Sequence, residues 1–482
     1  MANEENTVSA NTIFHEKILE TITQEELNLE EQGINIEALT IDETKKAKCL
    51  VEPEDSNIKK VTGDTIYQTA KRFEDLNLSR ELLMGLYVEM NFKTPSKIQS
   101  VSLPMILSPP YKDLVAQAHN GSGKTACFVL GMLSRIDINL KAPQAICICP
   151  TRELAIQNLE VLTRMGKHTK ITSISAVPTG KTGLRSDRAP ICDQIVVGTP
   201  GTIKKWMSQN RFNARDIKML VFDEADHMLA EDGFKDDSER IMNTLRKSSA
   251  HCLVLLFSAT FNDTVKNFVS KMIKDGNQMF VKKEELSLES VKQFKVNCPD
   301  EAAKRQLIDK VLELGDRLGQ IIIFVRTKKS AKTLHEALDS EGGWKCTNIH
   351  GDFDTDKRDE IVKEFKDGLT KVLIATDILA RGFDQSQVNL VINYDLPTQY
   401  DCLKHNPSEP HYEVYLHRCG RAGRFGRKEA VLNLLCTDPA TGTDSMMLME
   451  KIERHFGVHV SQIPDHLSEE DLSAVLKEAG LL

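Results

Sequence analysis

The sequence predicts an α/β protein of two tandem domains, each a mostly parallel β-sheet covered by helices on both faces. Short runs such as Ala145-Ile146-Cys147-Ile148-Cys149, Ile195-Val196-Val197, Met219-Leu220-Val221-Phe222 and Leu253-Val254-Leu255-Leu256-Phe257 are continuously apolar rather than alternating, as expected of strands buried on both faces. Each run ends in a polar cluster and passes into a helical pattern, the rhythm of repeated βα units. The series then recurs with Ile321-Ile322-Ile323-Phe324-Val325, Val372-Leu373-Ile374-Ala375, Leu390-Val391-Ile392 and Val431-Leu432-Asn433-Leu434-Leu435, in a chain whose 482 residues exceed one ordinary domain.

Residues 1–72 read as an extension, in which Ile18, Leu19, Ile22, Leu27 and Leu29 suggest one amphipathic helix followed by a mobile segment. The first domain is expected over 73–284, a linker over 285–298, the second domain over 299–470 and a tail over 471–482. The acidic start Met-Ala-Asn-Glu-Glu-Asn-Thr is unlike a secretory signal, and apolar stretches of strand length give no membrane span. Eleven cysteines without a C-x-x-C pair read as reduced thiols of a cytosolic or nuclear protein. A net charge of −8 argues against binding polyanions over the whole surface, so any nucleic acid must meet a local groove.

In parallel sheets ligands sit beyond the carboxyl ends of the strands. After Leu114-Val115-Ala116 comes Ala118-His119-Asn120-Gly121-Ser122-Gly123-Lys124-Thr125, then Ala126 and an apolar helical pattern: strand, tight loop, helix. Backbone N–H groups of such a loop wrap phosphate oxygens, Lys124 can reach the β- and γ-phosphates, and the Thr125 hydroxyl can ligate Mg²⁺. Ala118 stands where the strict pattern has Gly. After Met219–Phe222 come Asp223-Glu224-Ala225-Asp226, with Asp223 suited to hold Mg²⁺ directly or through water and Glu224 suited to orient or deprotonate an attacking water. A Gly-rich turn or an acidic helix cap can arise alone; together, a hydroxyl and a carboxylate are the pair Mg²⁺ needs.

With these residues in their order, the chain resembles the DEAD-box RNA helicases over roughly 73–460. The resemblance implies two RecA-like domains that sandwich one ATP with Mg²⁺ and bind single-stranded RNA. Phe73, Lys97 and Gln99 resemble the adenine-binding motif, which implies that Gln99 reads the adenine edge while Phe73 stacks on the base. Pro150-Thr151-Arg152-Glu153 and Thr199-Pro200-Gly201 resemble two RNA motifs, implying RNA contacts by Thr151, Arg152, Thr199 and Gly201, with Gly180 in a third. Ser258-Ala259-Thr260 resembles the motif that bonds Asp226 and couples nucleotide state to domain contact. In the second half the resemblance implies RNA contacts by Arg326, Arg358 and Thr376, ribose contact by Asp384, and γ-phosphate contact by Arg421 and Arg424 of His417-Arg418-Cys419-Gly420-Arg421-Ala422-Gly423-Arg424.

An inserted loop between Pro397 and His417 makes the chain similar to the mRNA-export branch, in its plant-like variant. That resemblance implies a monomer acting on messenger ribonucleoprotein in cytoplasm and nucleus, concentrated at the cytoplasmic face of the nuclear pore. It also implies a nucleoporin β-propeller partner, an α-helical activator assisted by inositol hexakisphosphate, and an autoinhibitory role for residues 15–40. An RNA clamp with slow hydrolysis and an initiation-factor-type helicase are the alternatives; intact Glu224 and both arginines weigh against the first and the inserted loop against the second.

Overall fold

The computed structural model describes residues 59–61, 67–118, 121–178, 189–230, 232–249, 251–280, 291–314, 318–341, 343–379, 383, 385, 387–399, 409–421, 428–438, 443–464 and 468–482. Residues 50–482 belong to one compact unit holding two sheets.

The first sheet is built from β1 (Lys59–Val61), β2 (Leu114–Gln117), β3 (Ala145–Ile148), β4 (Ser173–Ala176), β5 (Ile195–Gly198), β6 (Met219–Phe222), β7 (Leu253–Ser258) and β8 (Asn277–Phe280). Their spatial order is β1-β8-β2-β7-β6-β3-β5-β4, all parallel except β1, which pairs antiparallel with β8. This order sets the carboxyl ends of β2, β7, β6, β3 and β5 side by side. With strands about 4.8 Å apart, the loop after β2 and the acidic turn after β6 are separated by about 10 Å, with the end of β7 between them.

The second sheet comprises β9 (Lys292–Asn297), β10 (Gln320–Phe324), β11 (Cys346–Ile349), β12 (Val372–Ala375), β13 (Val388–Asn393), β16 (Ala430–Leu435) and β19 (Ser461–Ile463), in the parallel order β11-β12-β10-β13-β16-β9-β19. Two short hairpins, Thr398–Gln399 with Glu409–Pro410 and Thr437–Asp438 with Thr443–Asp444, complete the strand numbering as β14, β15, β17 and β18. The pleat explains the continuous apolar runs. Along β10, Ile321 and Ile323 enter the core on one face while Ile322 and Phe324 enter the core on the other, so both parities must be apolar.

Three expected boundaries change. Residues 59–61, assigned to the extension, form an edge strand of the first sheet, and six of the eight described residues of the expected linker, Lys292–Asn297, are β9, paired on both sides by β16 and β19. The expected tail is the helix Glu469–Glu478 with its sequel, and Leu472, Leu476, Ala479 and Leu481 are buried in the second domain's core. Ser468 caps this helix by accepting from the Asp471 N–H, and three acidic residues in its first turn suit the helix dipole. The proposed inhibitory segment 15–40 lies outside the described residues. Among the described residues no helix is long and apolar enough to cross a membrane.

Leu476 is fully buried, so Leu476→Ala is expected to cost about 2–5 kcal/mol. Urea unfolding of the full chain measures this, and a loss below about 1 kcal/mol would return the helix to the status of a peripheral tail.

Candidate nucleotide and RNA site

The loop after β2 meets the helix Lys124–Arg135 through two glycines with positive φ, Gly121 at 83° and Gly123 at 97°. Gly123 is doubly constrained, because a Cβ there would lie 2.5 Å from Gln99 Nε2. Ser96 and Gln99 form a capping box at the start of the helix Lys97–Leu107: the Gln99 Oε1 accepts from the Ser96 N–H at 2.9 Å. The same two side chains hold the phosphate loop, with Ser96 Oγ donating to Ser122 O at 2.8 Å and Gln99 Nε2 donating to Gly123 O at 3.2 Å. Helix cap and loop support are therefore one structure. Lys124 Nζ donates to Ala118 O at 2.7 Å, folding the lysine over the mouth of its own loop. Thr125 and Lys97 are half-buried, and the Ala126 side chain is buried, leaving its backbone N–H as the group for a ligand. Phe73 does not fit its expected stacking role. It is fully buried in a T-shaped pair with Tyr87, 6.1 Å between centroids, and presents no open face to a base.

At the end of β6, Asp223 and Glu224 are 3% and 5% exposed. Burial first, and the neighbouring Glu224 charge second, push Asp223 up to about 6; the amide of Asn158 and the Lys124 charge act the other way. Both Asp223 oxygens are fixed, Oδ1 by the Glu224 N–H at 3.0 Å and Oδ2 by Asn158 Nδ2 at 2.8 Å. Glu224 itself has φ of 50°, a left-handed conformation that a glutamate adopts at a cost. Among the described residues no group of three or more His, Cys, Asp or Glu could hold a metal unaided. A cation here would be shared with phosphate and water, which suits Mg²⁺, and the buried pair of carboxylates supplies the negative charge to attract it.

Asp226, fully buried, collects the end of β7: its Oδ2 accepts from Thr260 Oγ1 at 2.8 Å and Thr260 N at 3.2 Å, and its own N–H donates to Ser258 Oγ at 3.3 Å. Asp226 Oδ2 also lies 3.4 Å from His417 Nε2, on the helix Tyr412–Cys419 of the second half. The expected coupling trio therefore extends across the cleft through His417, to which the sequence had given no separate role.

Two expected RNA ligands have another use. Arg152 makes a two-pronged ion pair with Asp359, with NH2 to Oδ2 at 2.7 Å, while Arg358 NH1 reaches Glu153 Oε1 at 3.0 Å. The pairs cross between the helix Arg152–Met165 of the first half and Thr355–Lys366 of the second, and Lys366 with Glu160 adds a third at 3.0 Å. The guanidinium groups therefore join the halves rather than standing open to phosphate. Thr151 caps its helix, accepting from Leu154 N at 3.2 Å, and Thr199 Oγ1 donates to Thr202 Oγ1 at 3.4 Å. Gly201 is exposed at the start of the helix Pro200–Ser208, where a backbone N–H can face an anion.

In the second sheet β11, β12 and β10 are neighbours, so His350, Thr376 and Arg326 share one edge. The Arg326 N–H donates to Asp395 Oδ2 at 2.8 Å, and Thr376 is half-buried. Arg421 is 4% exposed, its guanidinium donating to His417 O at 3.1 Å and to Phe383 O. Asn120, Gly180, Asp384 and Arg424 lie outside the described residues.

Family models match at two places: the DEAD/DEAH box helicase domain over residues 96–268 and the helicase conserved C-terminal domain over 303–426. DEAD-box ATP-dependent RNA helicase 38 of Arabidopsis thaliana is 59% identical over 92% of this chain and 88% of its own length. The structure of S. cerevisiae Dbp5 bound to RNA and ADP BeF3 covers 85% of this chain and 99% of that chain at 38% identity, with a TM-score of 0.76. A variant of S. cerevisiae Dbp5 bound to Nup159, a Gle1 variant, IP6 and ADP covers 83% of this chain and 100% of that chain at 36% identity, with a TM-score of 0.56. A phosphate loop and an acidic turn on one sheet edge, gripped from a second RecA-like sheet, are thus met in relatives along most of the sequence, and the chain belongs to the DEAD-box ATP-dependent RNA helicases, which are RNA-stimulated ATPases.

Proposed function

We propose that this helicase serves mRNA export at the cytoplasmic face of the nuclear pore, closing on single-stranded RNA and stripping bound protein from it. The observation that carries this reading is the likeness, over most of the chain, to S. cerevisiae Dbp5, solved both with RNA and with Nup159, Gle1 and IP6. The nucleoporin and an IP6-assisted activator are accordingly the partners, with cytoplasm and nucleus as the compartments. The two Dbp5 comparisons differ in TM-score at similar coverage, 0.76 against 0.56, so the likeness is greater to the RNA-bound arrangement. Five contacts between the halves agree with closure: Arg152 with Asp359, Arg358 with Glu153, Lys366 with Glu160, His417 with Asp226, and Asn262 with Glu413.

In this reading Asn120 to Ala126 cradle the triphosphate, Lys97 borders the nucleotide, and Gln99 reads the adenine edge with the N–H and lone pair its cap leaves over. Thr125 and Asp223 would hold Mg²⁺, partly through water, and the ion would supply neutralising charge at the phosphates. Glu224 orients the attacking water and takes its proton, Lys124 swings from Ala118 O to the phosphates, and Asp384 meets the ribose. Arg421 and Arg424 stabilise charge on the γ-phosphate from the other half. Thr151, Thr199, Gly180, Gly201, Arg326 and Thr376 line the RNA backbone path. Because the acids and arginines lie on different halves, RNA that favours closure raises turnover.

An α-helical Gle1-type activator with IP6 should raise RNA-stimulated ATPase turnover of the full chain, and the two added together with no change in rate would exclude the export assignment. Arg358→Glu, facing Glu153, is expected to lower RNA-stimulated turnover at least tenfold, and adding Glu153→Arg should recover part of it; two variants that fail equally would show that the crossed pairs are incidental. The third expectation concerns ligand-free protein. Asp223 is raised above its unfolded value, so its full contribution holds below about pH 4 and is lost as pH rises through about 6. The unfolding free energy of Asp223→Asn minus that of wild type should therefore increase by on the order of 3 kcal/mol between pH 4 and 7, and a flat difference in urea titrations would mean ordinary ionisation.

A further inference from the structure

Asn158 belongs to none of the motifs, yet it is 1% exposed and ends against the acidic turn. Its Nδ2 donates to Asp223 Oδ2 at 2.8 Å and lies 3.3 Å from Cys149 Sγ. Its Oδ1 is buried and, among the described residues, has no hydrogen-bond partner. A residue present only to fill space would avoid an unpaired buried oxygen, since an apolar side chain of like volume carries no such cost. The donor is what this position needs. It fixes the plane of a carboxylate whose other oxygen is already bound to the Glu224 N–H. Asn158 also sits on the helix Arg152–Met165, whose first turn is gripped from the second half by Asp359 and Arg358.

We infer that Asn158 is a positioning residue for Mg²⁺·nucleotide, holding Asp223 Oδ2 so that the carboxylate meets the cation in one orientation. This rests on the reading of Asp223 as a Mg²⁺ holder. The amide comes from the helix that carries the crossed ion pairs, so the second half grips the same rigid element that orients the acid. Partners that orient a metal ligand from behind are worth about ten- to a hundredfold in metal affinity when removed.

The test uses the full chain and a fluorescent ADP analogue, titrated in Mg²⁺ and in EDTA. Asn158→Leu should retain wild-type affinity in EDTA and lose at least tenfold of the tightening that Mg²⁺ confers; Asp223→Asn should lose all of it. Retained tightening in Asn158→Leu alongside its loss in Asp223→Asn overturns the role of Asn158 alone, whereas retained tightening in Asp223→Asn overturns the Mg²⁺ reading itself. Equal weakening of Asn158→Leu with and without Mg²⁺ assigns the residue to packing and also overturns the inference. If Asn158→Leu shows no cooperative thermal transition, Asn158→Ser is measured in its place, with a several-fold loss of the Mg²⁺ effect expected and wild-type behaviour counting against the role.

Discussion

The rest of the molecule depends on two neighbouring carboxylates held out of water at the end of one strand. Asp223 and Glu224 repel one another and both lose hydration, the left-handed backbone at Glu224 adds strain, and no packing gain offsets such a pair directly. What makes it tolerable is the surrounding order: a buried amide on one Asp223 oxygen, a backbone N–H on the other, and a lysine close enough to act through charge. An arrangement of this kind is completed by a cation and a polyphosphate, whose charges turn repulsion into attraction. The phosphate loop two strands away is built to bring them, and the capping box that buries Gln99 keeps that loop in shape.

The same strand order explains how the second half can sense the first. Between the loop and the acidic turn lies β7, whose last residue, Ser258, bonds Asp226 together with Thr260 just beyond the strand. His417 touches the same oxygen from the opposite half. A buried carboxylate with partners on two domains cannot keep them all if the halves part, so Asp226 ties the geometry of β7 to closure. The crossed pairs of Arg152 and Arg358 act farther along the cleft, where a long helix from each side supplies both signs of charge. Reciprocal charges fix a register as well as a distance, because sliding one helix by a turn would part both pairs at once.

Much of this was legible from residue order, and the failures have physical causes. Parallel, doubly buried strands followed from continuous apolar runs, since β10 must satisfy a core on each face. The phosphate loop and the acidic turn followed from what Mg²⁺ and phosphate require. Phe73 lies buried in the core, and an aromatic side chain looks alike in sequence whether it faces a base or fills a core. The resemblance implied RNA contacts by Arg152 and Arg358; a guanidinium suits phosphate and carboxylate alike, and only the fold brings Asp359 and Glu153 to them. A hint was present in the adjacent pairs Arg152-Glu153 and Arg358-Asp359, each able to meet the other in reverse. Strand β9 was taken for linker because the polar stretch Lys282-Lys283-Glu284-Glu285 closes the first series of apolar runs, and Lys292-Gln293-Phe294-Lys295-Val296 offers no continuous apolar run to mark a strand. Asn158 carried no signal at all: an asparagine within a helix says nothing about a carboxylate sixty-five residues away.

Arg418 and Arg421 show how one short motif divides its work. Arg418 is fully buried, binding Asp377 through Nε at 2.8 Å, Asn393 Oδ1 at 3.2 Å and Asp395 O at 2.6 Å, with its guanidinium over the Phe324 ring. From Asn393 the bonding continues to Asn433 Oδ1 at 2.9 Å, and from Asn433 to Phe294 O at 3.1 Å, crossing β13, β16 and β9. A connected polar chain inside an apolar sheet is stiff, because breaking any member leaves a buried group unpaired. Arg418 is thus anchored to the sheet as far as the strand that begins the second domain. Arg421, three residues on, inherits that anchoring through its bond to His417 O. In the role proposed for it at the γ-phosphate, Arg421 needs a fixed base and a short reach. Fixing Arg418 in the sheet supplies the first, and the spacing of one turn supplies the second.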